Sequence, residues 1–300
     1  MITPIEDVAA ARPVKEMVGL PEASSRLPRD GGSGHYLRNE ERVAISRRRF
    51  AVLGAGVAAT LTGASTAQAA PRSRQRPAIR NVVLVHGAYA DGSSWRKVIS
   101  LLQAADMNVT AVQNPLSSLA ADVAATNFAL ARQDGPTLLV AHSYGGTVIS
   151  EVGLAPNVAG LVYIAARAPE PGEDFAALSA QFPTPPVTRG IITSDGFKTI
   201  GKTAFLEDFA NGVPRKEALA LFAAQGPLST AAPTTSVAAW QQKPSWYAVS
   251  KWDRTINPDL QRFMAKRMGA TTIEVNSGHL SLVSHPETIT RLILDAATSS

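Results

Sequence analysis

Residues 137–146 read Thr-Leu-Leu-Val-Ala-His-Ser-Tyr-Gly-Gly, and no other stretch of the chain restricts the fold as much. Thr137–Ala141 has the length and apolar content of a buried strand. A serine, two glycines and Thr-Val-Ile-Ser-Glu-Val follow, a run expected to continue as a helix to about Leu154. A strand passing straight into a helix leaves little room around its apex, so the positions two before and two after that apex must be small. Here they are Ala141 and Gly145. Residue 143 is thereby pushed out above the carboxyl edge of a sheet. Gly-x-Ser-x-Gly is the usual form of such a turn, and the alanine at its first position adds only a methyl group. An ordinary strand–turn–helix with an incidental serine would carry the same ten residues, so the rest of the chain must separate the two readings.

The surrounding pattern is one of alternation. Asn81–His86, Asn108–Val112, Thr137–Ala141, Val158–Ile164, Ser245–Ser250 and Thr271–Val275 read as strands. Ser94–Ala105, Ser118–Asp134, the run after Ser143, Pro258–Met268 and Glu287–Ala297 read as helices between and after them. Strands alternating with helices imply βαβ units and a doubly wound, mostly parallel sheet covered on both faces, whose sites lie at the carboxyl ends of the strands. The alternation breaks at 167–243. Eight prolines from Pro169 to Pro233 surround helix-like pieces such as Arg215–Ala224. An insertion of that length is expected to be a helical lid over the site, with a structural cap as the alternative. No internal repeat is visible.

Residues 1–69 read as an address. The head to Ile45 has mixed charge, several prolines and no sustained period, and is expected to be disordered. Ser46-Arg47-Arg48-Arg49-Phe50 then precedes an uncharged Ala-, Gly- and Thr-rich stretch, with Ala67-Gln68-Ala69 as a small-x-small exit. This is a secretory pattern, and the paired arginines resemble a twin-arginine signal of bacteria. It implies passage through the twin-arginine machinery to a periplasmic or extracellular destination. A permanent anchor needs about twenty strongly apolar residues, and this stretch lacks them. Val52–Ala59 also fits a Gly-x-Gly-x-x-Ala dinucleotide fingerprint, but a proper strand before it and an acidic residue after it are missing. Residues 70–300 hold twenty Lys and Arg against seventeen Asp and Glu, with no basic run, which argues against nucleic acid. The chain has no cysteine, so disulfides, thiol nucleophiles and cysteine-ligated zinc are excluded.

An alkyl hydroxyl needs a base to take its proton as it attacks. His142 precedes the serine and is expected to leave the turn on the opposite side. His86 ends the first strand and is expected to hold the next loop's backbone, while His285 stands before Pro286 at the start of the last helix. His279, in Asn276-Ser277-Gly278-His279 just beyond the last strand, remains as the base. An anion must fix its tautomer. Asp253 follows the fifth strand directly; Asp259 fits the first turn of a helix and is the weaker choice. Ser143, Asp253 and His279 thus fall at three strand ends in that chain order. The Tyr144 N–H, at a helix N-terminus, points where charge would develop on an attacked carbonyl.

On these residues the chain resembles the α/β-hydrolases. His86-Gly87-Ala88 with Trp95 is similar to their first loop. Asp253–Pro258, Gln261–Met264 and Ser277–His279 through Ser284–Glu287 resemble the branch of plant methyl-ester esterases, hydroxynitrile lyases and bacterial carboxylesterases. The resemblance spans about 81–297 and implies an α/β-hydrolase fold. It also implies Ser143 as nucleophile, His279 as base, Asp253 as its partner, and the Ala88 and Tyr144 N–H groups as an oxyanion hole. It implies a small-molecule ester as substrate, cleaved through an acyl-enzyme with no cofactor or metal. The lyases place threonine where this chain has Gly87 and lysine where it has Leu280, so an esterase is expected. Carbon–carbon hydrolases, cofactor-free perhydrolases and non-catalytic binding homologues remain open alternatives. Tyr144 and Trp240 are expected as pocket aromatics.

Overall fold

Five strands with mostly β-branched or bulky apolar residues, and a sixth at the edge, build the central layer. The computed structural model describes residues 79–231 and 234–299. The expected disordered head, the twin-arginine signal and the Gly54–Ala59 fingerprint lie outside the described residues.

The strands of this layer are β1 (Asn81–Val85), β2 (Asn108–Ala111), β3 (Thr137–His142), β4 (Val158–Ile164), β8 (Ser245–Ser250) and β9 (Thr271–Val275). The intervening numbers belong to the insertion described below. The sheet order is β2-β1-β3-β4-β8-β9, and every pairing is parallel. All residues of β1, β3 and β8 are buried, as expected where helices cover both faces of a parallel sheet. The helices are α1 (Arg96–Ala104), α2 (Leu119–Leu130), α3 (Gly145–Val152), α7 (Pro258–Arg267), α8 (Ser281–Ser284) and α9 (Pro286–Ser299).

The period of two in β1 divides the core. Val82 and Leu84 pack into one apolar cluster with Leu102 of α1 and Ile289 and Ile293 of α9. Val83 and Val85 join the other, with Leu130 of α2, Val148 of α3 and Leu260 of α7. The order reverses between β1 and β3, and such a switch point opens a crevice at the carboxyl edge.

The helix reading 118–134 ends early, at Leu130. Ser118 caps the start by accepting from the Ala121 N–H (3.1 Å). At the far end Asn157 Nδ2 donates to the Leu130 carbonyl (2.9 Å) and Gln133 Nε2 to that of Ala129 (2.9 Å), so side chains take over where the backbone stops. The reading 94–105 divides into a 3₁₀ turn at Gly92–Trp95 and then α1.

The insertion departs most from expectation, being mixed rather than helical. It holds α4 (Phe175–Ser179), β5 (Ile191–Ser194), β6 (Phe197–Ile200), α5 (Lys202–Ala204), a π turn at Phe205–Phe209, α6 (Arg215–Ala223) and β7 (Leu228–Ser229). The three strands form an antiparallel sheet in the order β5-β6-β7. Asp195 (φ +49°) and Gly196 (φ +78°) join β5 to β6, a two-residue turn whose positive φ values suit Asp-Gly.

Candidate active site

β3 ends at His142 and α3 begins at Gly145, so Ser143 and Tyr144 make the whole connection. Ser143 stands at φ +53°, a left-handed conformation that costs a residue with a Cβ about 1–2 kcal/mol. The turn is over-determined. The Ser143 carbonyl accepts from Gly146 N (3.1 Å) and Arg167 N (2.9 Å), and Ser143 N donates to the Ile164 carbonyl (3.2 Å). A Cβ on Gly146 would stand 2.0 Å from the Arg167 carbonyl oxygen, and one on Gly145 2.7 Å from that of Val85. The chain around the apex is therefore packed too closely for side chains, and the serine is held in its strained turn. A Cβ on Gly87 would meet the Ser143 Cβ at 2.7 Å, so the threonine of the lyases has no space here.

Tyr144 and the loop after β1 frame the serine. The Tyr144 hydroxyl donates to Asp122 Oδ2 (2.7 Å), whose Oδ1 accepts from Leu116 N (2.8 Å). Burial pushes the Asp122 carboxyl up from its ordinary value, opposed by those two hydrogen bonds, and raises the Tyr144 phenol far above its own. Among the described residues, the N–H groups of Ala88 and Tyr144 have no protein acceptor. His86 Nε2 accepts from Asn114 N (2.8 Å), and Nδ1 lies 2.9 Å from the Gly87 carbonyl. Nδ1 therefore carries the proton, and the ring holds the loop's backbone.

Asp253 follows β8 and His279 follows β9. His279 Nδ1 lies 2.7 Å from Asp253 Oδ2, with both side chains fully buried. Asp253 Oδ1 also accepts from Thr255 N (2.7 Å) and Ile256 N (3.0 Å), and Oδ2 from Gln261 Nε2 (2.7 Å). Four donors thus face one buried carboxylate, so the Nδ1–H tautomer of His279 is the one it favours. Gln261 is fixed in turn, since its Oε1 accepts from Ser250 N (2.9 Å) and its Nε2 also donates to the Ile256 carbonyl (2.9 Å). His279 Nε2 is buried and without a hydrogen-bond partner. The third link, Ser143 Oγ to His279 Nε2, is not formed in this structure. Asp259 binds Arg262 (2.8 Å) on the exposed face of α7, away from His279.

Two sequence expectations are corrected. His142 does not leave the site: its Nε2 lies 3.1 Å from the His279 carbonyl and its ring centroid 4.5 Å from that of His279. Burial, with His279 as a neighbour, holds its pKa well below the ordinary value, so it is a neutral donor bracing His279. Tyr144 and Trp240 do not line the cavity in front of Ser143. Trp240 is buried, its Nε1 on the Pro169 carbonyl (3.0 Å). The cavity of about 410 Å³ takes its aromatic wall from Tyr89, Phe175 and Phe209.

The π turn of the insertion also touches His279. The Phe209 ring lies 5.2 Å from that of His279, Asp208 pairs with Arg254 Nε at 2.6 Å, and Asn211 Nδ2 donates to the Trp252 carbonyl (2.9 Å). Phe209, Asn211 and Gln261 carried no sequence signal of their own beyond Gln261's place in a motif of the resemblance. Among the described residues no cluster of three or more His, Asp or Glu is arranged to hold a metal ion, and no helix is long and apolar enough to cross a membrane.

Comparison with known proteins follows the same lines. Residues 82–292 match the Alpha/beta hydrolase family. A carbendazim hydrolyzing esterase from Nocardioides sp. (strain SG-4G) is 32% identical over 126 residues, 37% of this chain and 52% of that protein. The chain thus aligns with about half the length of this curated relative. Among solved structures, polyneuridine aldehyde esterase superposes with a TM-score of 0.64 at 18% identity, over 73% of this chain and 99% of that one. A pyrethroid hydrolase from Sphingobium faniae JZ-2 gives 0.62 at 20%, over 74% and 98%. A methylesterase from Arabidopsis gives 0.60 at 18%, over 73% and 98%. At these identities the superpositions are likenesses of fold.

Proposed function

The chain belongs to the alpha/beta hydrolase family, and from that premise we propose that it is a serine esterase acting through an acyl-enzyme. One observation carries the reading: the buried 2.7 Å Asp253–His279 hydrogen bond, which leaves His279 Nε2 without a protein partner among the described residues, while Ser143 stands in a strained turn on the cavity wall. In this reading Ser143 Oγ attacks the ester carbonyl carbon while His279 Nε2 takes its proton. Asp253 accepts from Nδ1–H and stabilises the imidazolium. The Ala88 and Tyr144 N–H groups receive the oxyanion. Collapse expels the alcohol, which takes the proton from Nε2. A water then repeats the sequence on the acyl-serine and frees the acid. The esterase names of several relatives support the reaction class.

Ser143→Ala is expected to lower kcat on p-nitrophenyl butyrate by about six orders of magnitude, and to abolish labelling by a fluorophosphonate. Ordinary turnover or labelling in that variant would refute the assignment. We also propose that residues 1–69 are a head and a twin-arginine signal, and that 70–300 form the exported hydrolase domain, with 167–243 covering the cavity. The support is Ser46–Phe50 followed by the small-x-small exit Ala67–Ala69. Amino-terminal sequencing of exported protein should begin near Ala70; a start elsewhere would refute that processing.

A further inference from the structure

Arg167 lies three residues beyond β4, its N–H tied to the carbonyl of Ser143 (2.9 Å). Its side chain lines the same cavity as the Ser143 hydroxyl. The guanidinium carbon sits 4.4 Å from the Phe175 ring centroid and 5.8 Å from that of Tyr144. Its Nε is buried without a hydrogen-bond partner. Among the described residues no carboxylate comes within ion-pair distance of it. Arg267, by contrast, makes a fork to Glu173 (2.7 and 3.0 Å) and also reaches the Ala168 carbonyl.

This is an unusual place for a bare cation. Arginine stays charged in proteins, and a charge drawn partly out of water, as this half-buried one is with its Nε enclosed, is costly unless it is paired. Aromatic faces compensate only in part and leave the planar fork of donors unused. The rest of the cavity does not restore the balance. Among the described residues Lys198 lines it without an acidic partner, and Asp174, also on its wall, has Oδ1 engaged by the N–H groups of Ala176 (2.8 Å) and Ala177 (3.3 Å). Positive charge is thus in excess within reach of the nucleophile.

We propose that Arg167 selects esters that carry a second, free carboxylate, the hemiesters of dicarboxylic acids, by gripping that carboxylate with its guanidinium fork. The inference rests on the serine esterase reading and adds its substrate class. The free carboxylate takes the place of the missing counter-ion; the Ser143–Arg167 backbone bond fixes where the arginine side chain starts, and the Phe175 ring holds its guanidinium.

The test compares kcat/KM for monomethyl adipate with that for methyl 6-methylheptanoate, a neutral ester of nearly the same shape, and takes their ratio so that general losses cancel. The wild type is expected to favour the hemiester. Arg167→Gln should lower the ratio about 10- to 100-fold, the worth of a hydrogen bond to a charged group, and Arg167→Lys should recover part of it. A ratio that moves less than about threefold in Arg167→Gln, or a wild type that prefers the neutral ester, would overturn the inference and make Arg167 a wall stacked on Phe175. A second arm needs no turnover. Adipate binding by calorimetry to Ser143→Ala should weaken about tenfold or more when Arg167→Gln is added, and equal binding would overturn the proposal. A wild type that cleaves neither ester would count against the esterase reading, while the binding arm still decides this one.

Discussion

The carboxyl edge of the main sheet and the insertion between β4 and β8 are built on opposite terms. At the edge, the strands leading to the Gly87 loop, Ser143 and Asp253 are buried along their whole length. In the insertion, β5 is largely solvent-facing, with Ile192 half exposed, and β6 buries only Ile200 fully. Yet the insertion is not loose throughout. Its π turn meets His279 through Phe209, and Asn211 just beyond the turn donates to the Trp252 carbonyl, while its hairpin has no such contact with His279. Burial on both faces dictates where a strand ends and hence where a catalytic loop begins. A surface hairpin is set by its own turn, and at its exposed positions the sequence can vary with less consequence for the site.

Substitutions at matching depth sharpen this contrast. After the loss expected for Ser143→Ala, the next largest effect is expected at Asp253→Asn, which should reduce kcat about 10⁴-fold with the fold retained; a loss of only a few fold in single-turnover assays would detach the carboxylate from the chemistry. Tyr144→Phe removes one of the donors to the buried Asp122 carboxylate and should cost about 1–3 kcal/mol in urea unfolding. A neutral result would mean that the Asp122–Tyr144 link does not hold the elbow.

Next comes a dependence on pH. Burial lowers the pKa values of His86 and His142 in the folded state from their ordinary 6.5, so below that value the unfolded chain binds protons that the folded one refuses. Their contribution is complete above about pH 6.5 and declines as pH falls below it, by at most about 1.4 kcal/mol per pH unit for each histidine, until the folded-state pKa is reached. Asp122 has the opposite sign. Its folded pKa is raised from 3.8, so its contribution is greatest below that value and declines as pH rises through it. Urea midpoints at pH 7.5 and 5.5 read the histidine term, and equal midpoints would contradict it. The smallest effect belongs to the hairpin, where Ile192→Thr should change stability by less than about 0.5 kcal/mol; a large loss there would erase the distinction between the two regions.

Much of the edge was legible because its constraints are local. A strand that must turn at once into a helix needs small neighbours, and Ala141, Gly145 and Gly146 supply them around Ser143. His279 and Asp253 could be found because each lies within four residues of the end of a strand readable in the sequence. The hairpin in the insertion had a signal too, Asp195-Gly196 between Ile191–Ser194 and Phe197–Ile200, but it lay among prolines and polar residues that blur a period of two. His142 was misplaced because alternation along a strand ceases to govern direction at the left-handed turn of the next residue.

Sequence alone determined the strand–helix alternation, the serine apex and the chain order of the three candidate catalytic side chains, because burial and turn sterics act over a few residues. Only the tertiary structure decided that Gln261 steadies Asp253, that His142 and Phe209 brace His279, and that Arg167 faces the cavity without a counter-ion. These are contacts between side chains distant in the chain. Their partners are chosen by which surfaces the packed helices and the insertion bring within a few ångströms, and no local pattern encodes that choice.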